Sequence, residues 1–389
     1  MSARRYVVAG AGVLLAILAG LLAWDRDAVE QPVVLQPTTA KPQAIGNDVA
    51  AAQIVREASG QNPLIEISRK AIRGLPTEGC EEEVAQRRAR STERDSEAIR
   101  ETAIAILGQS NDVDHLLTAG FLSPDSNSRI QYLDRVLALD PSNRVAIWDK
   151  LLACAEAGAV CDRGDAEAAA VAVDGSNGLV WLELASARVR AGEWQLAEDA
   201  LERAALAPRF ETYFMDTAVV IEHGLAASSE LGYQERLVFG IGVAAAVAVP
   251  AFGDITKPCA ATENGPSFSV ETCRQLGEQM SAQSKELLPV MIGYALRSNS
   301  ASRLGDDGMA QRLDQEKNDL QESMLHAQAD SGVLALLEND PAVMRRYVET
   351  FLVHGEVDAI KLTVEEARRL RKDSTYNQCN FVGDLDVDF

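Results

Sequence analysis

The chain has 389 residues, with 37 Lys and Arg against 58 Asp and Glu, so its formal net charge at pH 7 is −21. This charge disfavours a nucleic-acid binder, because such proteins need a basic face to neutralise phosphates. Hydrophobic residues make up 47% of the chain but aromatic residues only 5%. An alanine-rich, aromatic-poor composition favours helices over strands. We therefore expect a globular all-α protein without a nucleic-acid partner.

Residues 1–27 predict a short cytoplasmic stub and a transmembrane signal-anchor. Two arginines precede an apolar run, residues 6–24, and two aspartates follow it. Eighteen residues of this run would span about 27 Å as a helix, close to the thickness of the hydrocarbon core of a bilayer. Positive charge stays on the cytoplasmic side, so the rest of the chain is predicted to lie outside the cytoplasm. A cleaved signal peptide is the alternative, although no small-residue cleavage site precedes Trp24.

The composition also indicates the compartment. Arginine outnumbers lysine 29 to 8, which together with the alanine content suggests a GC-rich bacterial genome. Combined with the anchor, this predicts a single-pass protein of the bacterial inner membrane, with the bulk of the chain in the periplasm. That compartment is oxidising and allows disulfide bonds.

A linker and a helical segment follow the predicted anchor. Residues 28–50 are rich in proline and lack periodicity, so they predict an extended linker. Residues 51–109 are predicted as N-terminal helices. Within them, three glutamates at 81–83 precede several arginines, an order that favours a helix through charge pairing and the helix dipole.

Two turns of similar sequence then recur at a spacing of 34 residues. Asp-Pro-Ser-Asn at 140–143 returns as Asp-Gly-Ser-Asn at 174–177, and Ser-Asn at 110–111 lies 32 residues before its counterpart at 142–143. A period near 34 residues is typical of helix-turn-helix repeats.

The clearest unit spans 178–211, where small residues would let two antiparallel helices approach closely and a proline would end the second helix. Its key positions are Trp181, Leu184, Ala185, Gly192, Trp194, Ala197, Leu201, Ala204 and Pro208. In this pattern residues 110–211 resemble the tetratricopeptide repeat family; the unit at 110–143 fits reasonably and the unit at 144–177 loosely. The resemblance implies a solenoid of antiparallel helix pairs and a protein partner.

Residues 212–375 predict further helices without the repeat. The apolar run at 237–252 is predicted as a buried helix, with a second membrane span as the alternative. Residues 253–270 are predicted as a loop because of their glycines and prolines, and Ser269 is predicted to cap a helix that begins near Val270. Further helices are predicted at 280–298, 307–328, 331–338, 340–354 and 363–372, the last capped by Thr363, before an acidic tail at 376–389.

The six cysteines contain no CxxC pair, which argues against a zinc or thioredoxin-like site. One pair flanks the Pro/Gly segment and a second lies on either side of a predicted helix–helix turn, so both are expected to form local disulfides. Six buried thiols are the alternative. The predicted pairs are Cys259 with Cys273, Cys154 with Cys161 and, by elimination, Cys80 with Cys379.

Signatures of catalysis are missing. The sequence has no HExxH, P-loop, GxSxG or GxGxxG motif. Asp112, Asp114 and His115 could form a weak metal cluster, but acidic residues at a helix start explain them better. We therefore predict no metal, no cofactor and no enzymatic activity.

These features together predict a membrane-anchored periplasmic interaction scaffold or assembly factor that binds a protein or peptide of the cell envelope. The first helix of each repeat usually lines the concave surface of such an array. Two alternatives stay open: a hydrolase-like envelope enzyme built around His326 or His354, and an adaptor that presents the tail at 376–389. The residues predicted to bind the partner are Trp148, Lys150, Glu183, Arg188 and Arg190.

Overall fold

The computed structural model describes residues 96–156, 160–247, 252–260, 266–331, 336–337, 340–373 and 375–376. These residues form fifteen α-helices and no β-strand, apart from two isolated β-bridges. The predicted all-α class is therefore confirmed. The predicted anchor, linker and acidic tail, together with Cys80 and Cys379, lie outside the described residues, except for Tyr376 at the start of the tail.

The helices follow one another with short connections. They are α1 Ser96–Leu107, α2 Val113–Leu122, α3 Ser126–Leu139, α4 Arg144–Ala155, α5 Arg163–Asp174, α6 Gly178–Arg190, α7 Trp194–Ala205, α8 Phe214–Ser228, α9 Tyr233–Val247, α10 Gly253–Ala260, α11 Val270–Gln283, α12 Leu287–Arg303, α13 Asp307–Ser331, α14 Pro341–His354 and α15 Glu356–Lys372.

Six of these helices form three hairpins in the segment with the repeated turns. Helix α2 packs on α3, α4 on α5, and α6 on α7. The repeated asparagines begin the first helices of the second and third hairpins. The Asn143 side chain accepts a hydrogen bond from the Ala146 N–H at 3.0 Å, and that of Asn177 accepts one from Leu179 at 3.2 Å. The recurring turn is thus a helix-start signal, since Asn is a favoured N-cap residue.

Helix α8 returns to the first hairpin and covers α2. The Thr118 hydroxyl of α2 donates a hydrogen bond of 2.9 Å to the Val220 carbonyl of α8. A Cβ on Gly224 would lie only 2.3 Å from Thr118 Oγ1, so the absence of a side chain there allows the two helices to approach. Buried Leu116, Leu117 and Ile221 belong to the same core cluster.

The later helices share a core with the hairpins. The largest cluster joins buried residues of α4, α6 and α7 to Ile255 of α10, Leu276 of α11 and Leu296 of α12. A second cluster joins α8 and α9 to α14 and α15. Residues 110–211 and the helices after residue 212 therefore share a common hydrophobic core.

The prediction of a loop over 253–270 is wrong in its first half, which forms α10. Pro258 lies inside this helix, where it removes a backbone donor. Ile255, Pro258 and Cys259 are buried, and Cys259 is bonded to Cys273. Burial and the disulfide therefore outweigh the local preference for a loop. The predicted cap at Ser269 is confirmed, because its side chain accepts from the Thr272 N–H.

Two predicted helix boundaries are also wrong. The single helix predicted at 280–298 is divided between α11 and α12, which is preceded by Glu286 and carries Pro289 in its first turn. Thr363 does not cap a helix. It lies within α15, which begins at Glu356, and its hydroxyl donates to the Ala359 carbonyl at 2.7 Å.

Residues 237–247 of the predicted apolar run belong to α9. Leu237, Ile241 and Ala244 are buried, and α9 packs on α8. Within the part of the chain that the structure describes, no helix combines the length and apolarity needed to cross a bilayer.

Candidate functional site

The last turn of α6 carries two arginines that pair with buried carboxylates. Arg188 Nη2 lies 2.6 Å from Oε2 of Glu167 on α5, and Arg190 Nη2 lies 3.0 Å from Oε1 of Glu183 on α6 itself. Arg163 of α5 bridges the two acids, at 3.0 Å from Glu167 and 3.7 Å from Glu183. The arginines are partly exposed, but their charged ends neutralise acids within the fold.

Helix α10 extends this network and covers the adjoining face of α6. Oδ2 of Asp254 accepts a hydrogen bond of 2.7 Å from the Ser186 hydroxyl and lies 3.5 Å from Arg190 Nη1. Glu183 is only 2% exposed. Its burial raises the pKa of its carboxyl, and Arg190 opposes that rise. Glu183 thus contacts the molecule's own arginines and does not line an open groove.

The two predicted binding residues on α4 also differ in their surroundings. Trp148 is 3% exposed and belongs to the largest core cluster. Lys150 reaches the surface, where its Nζ donates to Oδ1 of Asp134 on α3 at 2.6 Å. Of the five predicted residues, the structure brings Glu183, Arg188 and Arg190 together. Trp148 lies in the core, and Lys150 pairs with the preceding helix.

A cleft of about 580 Å³ opens where the N-terminus of α4 meets the segment that leads into α8. Its walls are partly apolar and carry both signs of charge. The sequence does not predict this cleft, because the segments on its two sides are far apart along the chain. Only one side includes a segment singled out above, the repeated turn at 142–143. The lining residues are Ser142, Asn143, Arg144, Val145, Val173, Glu211, Tyr213 and Asp216.

A hydrogen-bonded cluster fixes one edge of the cleft. Asp174, at the end of α5, is buried and accepts from the Tyr213 hydroxyl at 2.8 Å and from the Arg209 guanidinium. Arg209 Nη1 also donates to Tyr213 Oη at 2.9 Å. Tyr213 has φ 60°, a left-handed conformation that is uncommon for a residue with a side chain. The bonds that its hydroxyl makes with Asp174 and Arg209 fix the position of its ring.

Three helix N-termini meet beside the same segment. Glu286, which precedes α12, accepts hydrogen bonds from the backbone N–H groups of Thr212 at 3.0 Å and Phe214 at 3.4 Å. Glu356, at the start of α15, accepts one from the Leu287 N–H at 2.7 Å. Burial raises the pKa of Glu286 to about 7; the Thr212 hydrogen bonds oppose the rise and Glu356 adds to it. Glu286 therefore changes its charge near neutral pH.

Asp149 is a further buried carboxyl group, in α4. Among the described residues it has no hydrogen-bond donor, and Arg129 Nη1 lies 3.6 Å away. Burial raises the pKa of Asp149 to about 6, against the charge of Arg129. Nothing in the sequence separates this aspartate from the many exposed ones, since burial depends on how α3 meets α4.

The side chains of three histidines, His115, His223 and His354, are described, whereas that of His326 lies outside the described part of the structure. Asp112 caps α2 by accepting from the His115 N–H at 3.1 Å, as acidic residues at a helix start do. His223 Nδ1 lies 3.6 Å from Asp114 Oδ2. No set of three or more His, Cys, Asp or Glu is placed to hold a metal ion within this part of the chain. His354 is exposed at the end of α14.

Two of the three predicted disulfides are confirmed. Cys154 and Cys161 are bonded with their Cα atoms 5.9 Å apart, and Cys259 and Cys273 with theirs 5.7 Å apart. The first bond joins the end of α4 to the start of α5. The second joins α10 to α11.

No family model, no curated protein and no solved structure matches this chain.

Proposed function

We propose that this protein is a membrane-anchored periplasmic interaction scaffold or assembly factor, whose hairpins α2–α7 form a tetratricopeptide-like array that binds a protein or peptide of the cell envelope. The observation that supports this most directly is the series of three consecutive hairpins. Their first helices begin at Val113, Arg144 and Gly178, each after a polar turn. Stacked hairpins of this length build extended surfaces suited to peptides.

The partner is proposed to dock at the cleft beside α4. Within the described residues, α8 covers α2 and α10 covers part of α6, so these first helices offer less open surface. The start of α4 instead borders the cleft, and the Arg144 side chain is 55% exposed there. Val145 and Val173 supply apolar wall, while Arg144 and Asp216 supply charge to orient a bound segment.

A photo-crosslinking residue placed at Arg144 tests this site. In the native envelope we expect it to crosslink a protein partner, whereas the same residue placed at Glu202, exposed on α7, should not. Crosslinking at Glu202 but not at Arg144 would place the partner elsewhere on the array.

Charge variants give a second readout. Asp216→Lys should weaken capture of the crosslinked partner. Arg144→Gln should do the same; it removes the charge without placing a second acid beside Asp174, whose Oδ1 lies 3.9 Å from Arg144 Nε. Lys150→Glu, outside the lining of the cleft, serves as the control. Reversal of Arg188 and Arg190 is less informative, because both contact buried acids and their replacement disturbs the fold. If capture survives the cleft variants but is lost in His354→Ala, the enzyme alternative gains support.

A further inference from the structure

The two confirmed disulfides lie in different surroundings. Both sulfur-bearing residues of the Cys259–Cys273 pair are fully buried, at 0% exposure, within the largest core cluster. Cys154 is 8% exposed, and Cys161 is only partly buried. The Cys154–Cys161 pair is therefore the less deeply buried of the two.

The more accessible bond also sits in a small core of its own. Buried Ile130 of α3, Ala153 and Cys154 of α4, and Ala166 of α5 form a cluster separate from the larger ones, and Cys161 packs against its edge. Opening the Cys154–Cys161 bond disturbs only this satellite cluster. Opening Cys259–Cys273 requires access to the main core.

We propose that Cys154–Cys161 is a site of thiol–disulfide exchange with a dithiol reductant, and that Cys259–Cys273 is a permanent structural bond. Exchange proceeds by attack of a thiolate on a sulfur that it can reach. The half-buried Cys161 meets that condition better than Cys154, so Cys161 Sγ is the point of attack.

The reaction balances in two steps. A thiolate of the reductant bonds to Cys161 Sγ, and the Cys154 sulfur leaves as a thiolate that takes up a proton. The second thiol of the reductant then attacks the mixed disulfide and releases Cys161 as a thiol. The protein gains two electrons and two protons, and the reductant becomes a disulfide.

A reductant titration tests the proposal on the full-length oxidised chain. The protein is incubated with increasing dithiothreitol, free thiols are trapped with N-ethylmaleimide, and each cysteine is mapped by peptide mass spectrometry. We expect Cys154 and Cys161 to be labelled at a dithiothreitol concentration at least tenfold below that needed for Cys259 and Cys273. Simultaneous opening of both pairs, or earlier opening of Cys259–Cys273, would overturn the proposal.

Two further measurements separate exchange from unfolding. Circular dichroism at 222 nm should stay unchanged at the concentration that opens Cys154–Cys161; loss of helix at that point would mean that the bond opens only in unfolded chains. In Cys154→Ser, the remaining Cys161 should be labelled at least tenfold faster than Cys154 in Cys161→Ser. Equal rates would refute Cys161 as the point of attack.

Discussion

Glu183 and Glu286 are both buried, but their surroundings differ in how well they stabilise a negative charge on the carboxyl group. Arg190 and Arg163 lie within 4 Å of the Glu183 carboxylate, whereas backbone N–H groups and a second carboxyl group, that of Glu356, surround Glu286. The first arrangement stabilises a charge by ion pairs. The second holds a group that binds a proton near neutral pH.

Arg190→Glu should destabilise the fold, because it replaces a favourable contact with Glu183 by repulsion between two acids. We expect the free energy of unfolding in urea to fall by about 2 kcal/mol, since removing one partner of a largely buried pair leaves the other charge uncompensated. Lys150→Glu is the matched control: its pair with Asp134 lies at the surface, so the loss should stay below about 1 kcal/mol. Equal losses in the two variants would refute a structural role for Arg190.

Glu286→Gln should change how stability depends on pH. The folded pKa of Glu286, about 7, lies above the ordinary value of 4.5, so the native state binds the proton more tightly than the unfolded chain. The resulting stabilisation is complete below pH 4.5 and is lost as the pH rises through 7, on the order of 3 kcal/mol in all. Urea unfolding at several pH values should show this decline in the wild type and a flatter profile in the variant.

Asp149→Asn provides the comparison for that experiment. The pKa of Asp149 is raised from 3.8 to about 6, so its contribution has the same sign but is lost at lower pH. This variant should flatten the profile below pH 6 and leave the decline toward pH 7. A profile unchanged by Glu286→Gln would mean that the carboxyl group is ionised in the native state throughout this range.

The sequence marked Arg188 and Arg190 but could not show what they contact. Both acids that pair with them, Glu167 and Glu183, look like any other glutamate in a chain with 58 acidic residues. Their burial depends on how α5 and α10 pack against α6. For the same reason the sequence placed Trp148 and Glu183 on a binding surface, although the structure buries both.

At the scale of elements, the recurring turns were the most informative signal. Their asparagines cap α4 and α6, an interaction within four residues that local sequence can encode. The existence of α10 was missed because the burial of Ile255 depends on neighbours distant in sequence. The break before α12 was missed although Pro289 is a local signal against an uninterrupted helix. Local chemistry predicted the start of α11 at Ser269 but missed the starts of α12 and α15.

Gly224→Ala should loosen α8 from α2. The added Cβ would lie 2.3 Å from Thr118 Oγ1, and overpacking of this kind typically costs about 1–3 kcal/mol. The control is Gly242→Ala in α9, where no atom lies within 4 Å of the new Cβ. That change should raise stability by up to about 1 kcal/mol, since alanine is the better helix former. Thermal or urea unfolding would compare the two, and a stabilising Gly224→Ala would contradict the packing described.

At the scale of the whole molecule, the proposed topology has one span at 6–24 and the remaining chain in the periplasm. A phosphatase reporter that is active only outside the cytoplasm, fused after Phe389, should therefore be active. The same reporter fused after Arg5 should be inactive. An inactive fusion at Phe389 would indicate a reversed orientation or a second span.

The contact between α2 and α8 also affects the order of folding during synthesis, because α2 is made well before α8. Thr118 and Val220 are 102 residues apart, and at about 5–20 residues per second the ribosome adds that length in about 5–20 s. During that interval the apolar face of α2 has been made but the helix that covers it has not. A fragment that ends at residue 211 would keep this face bare, so we expect the hairpins to complete their folding only after α8 has been synthesised.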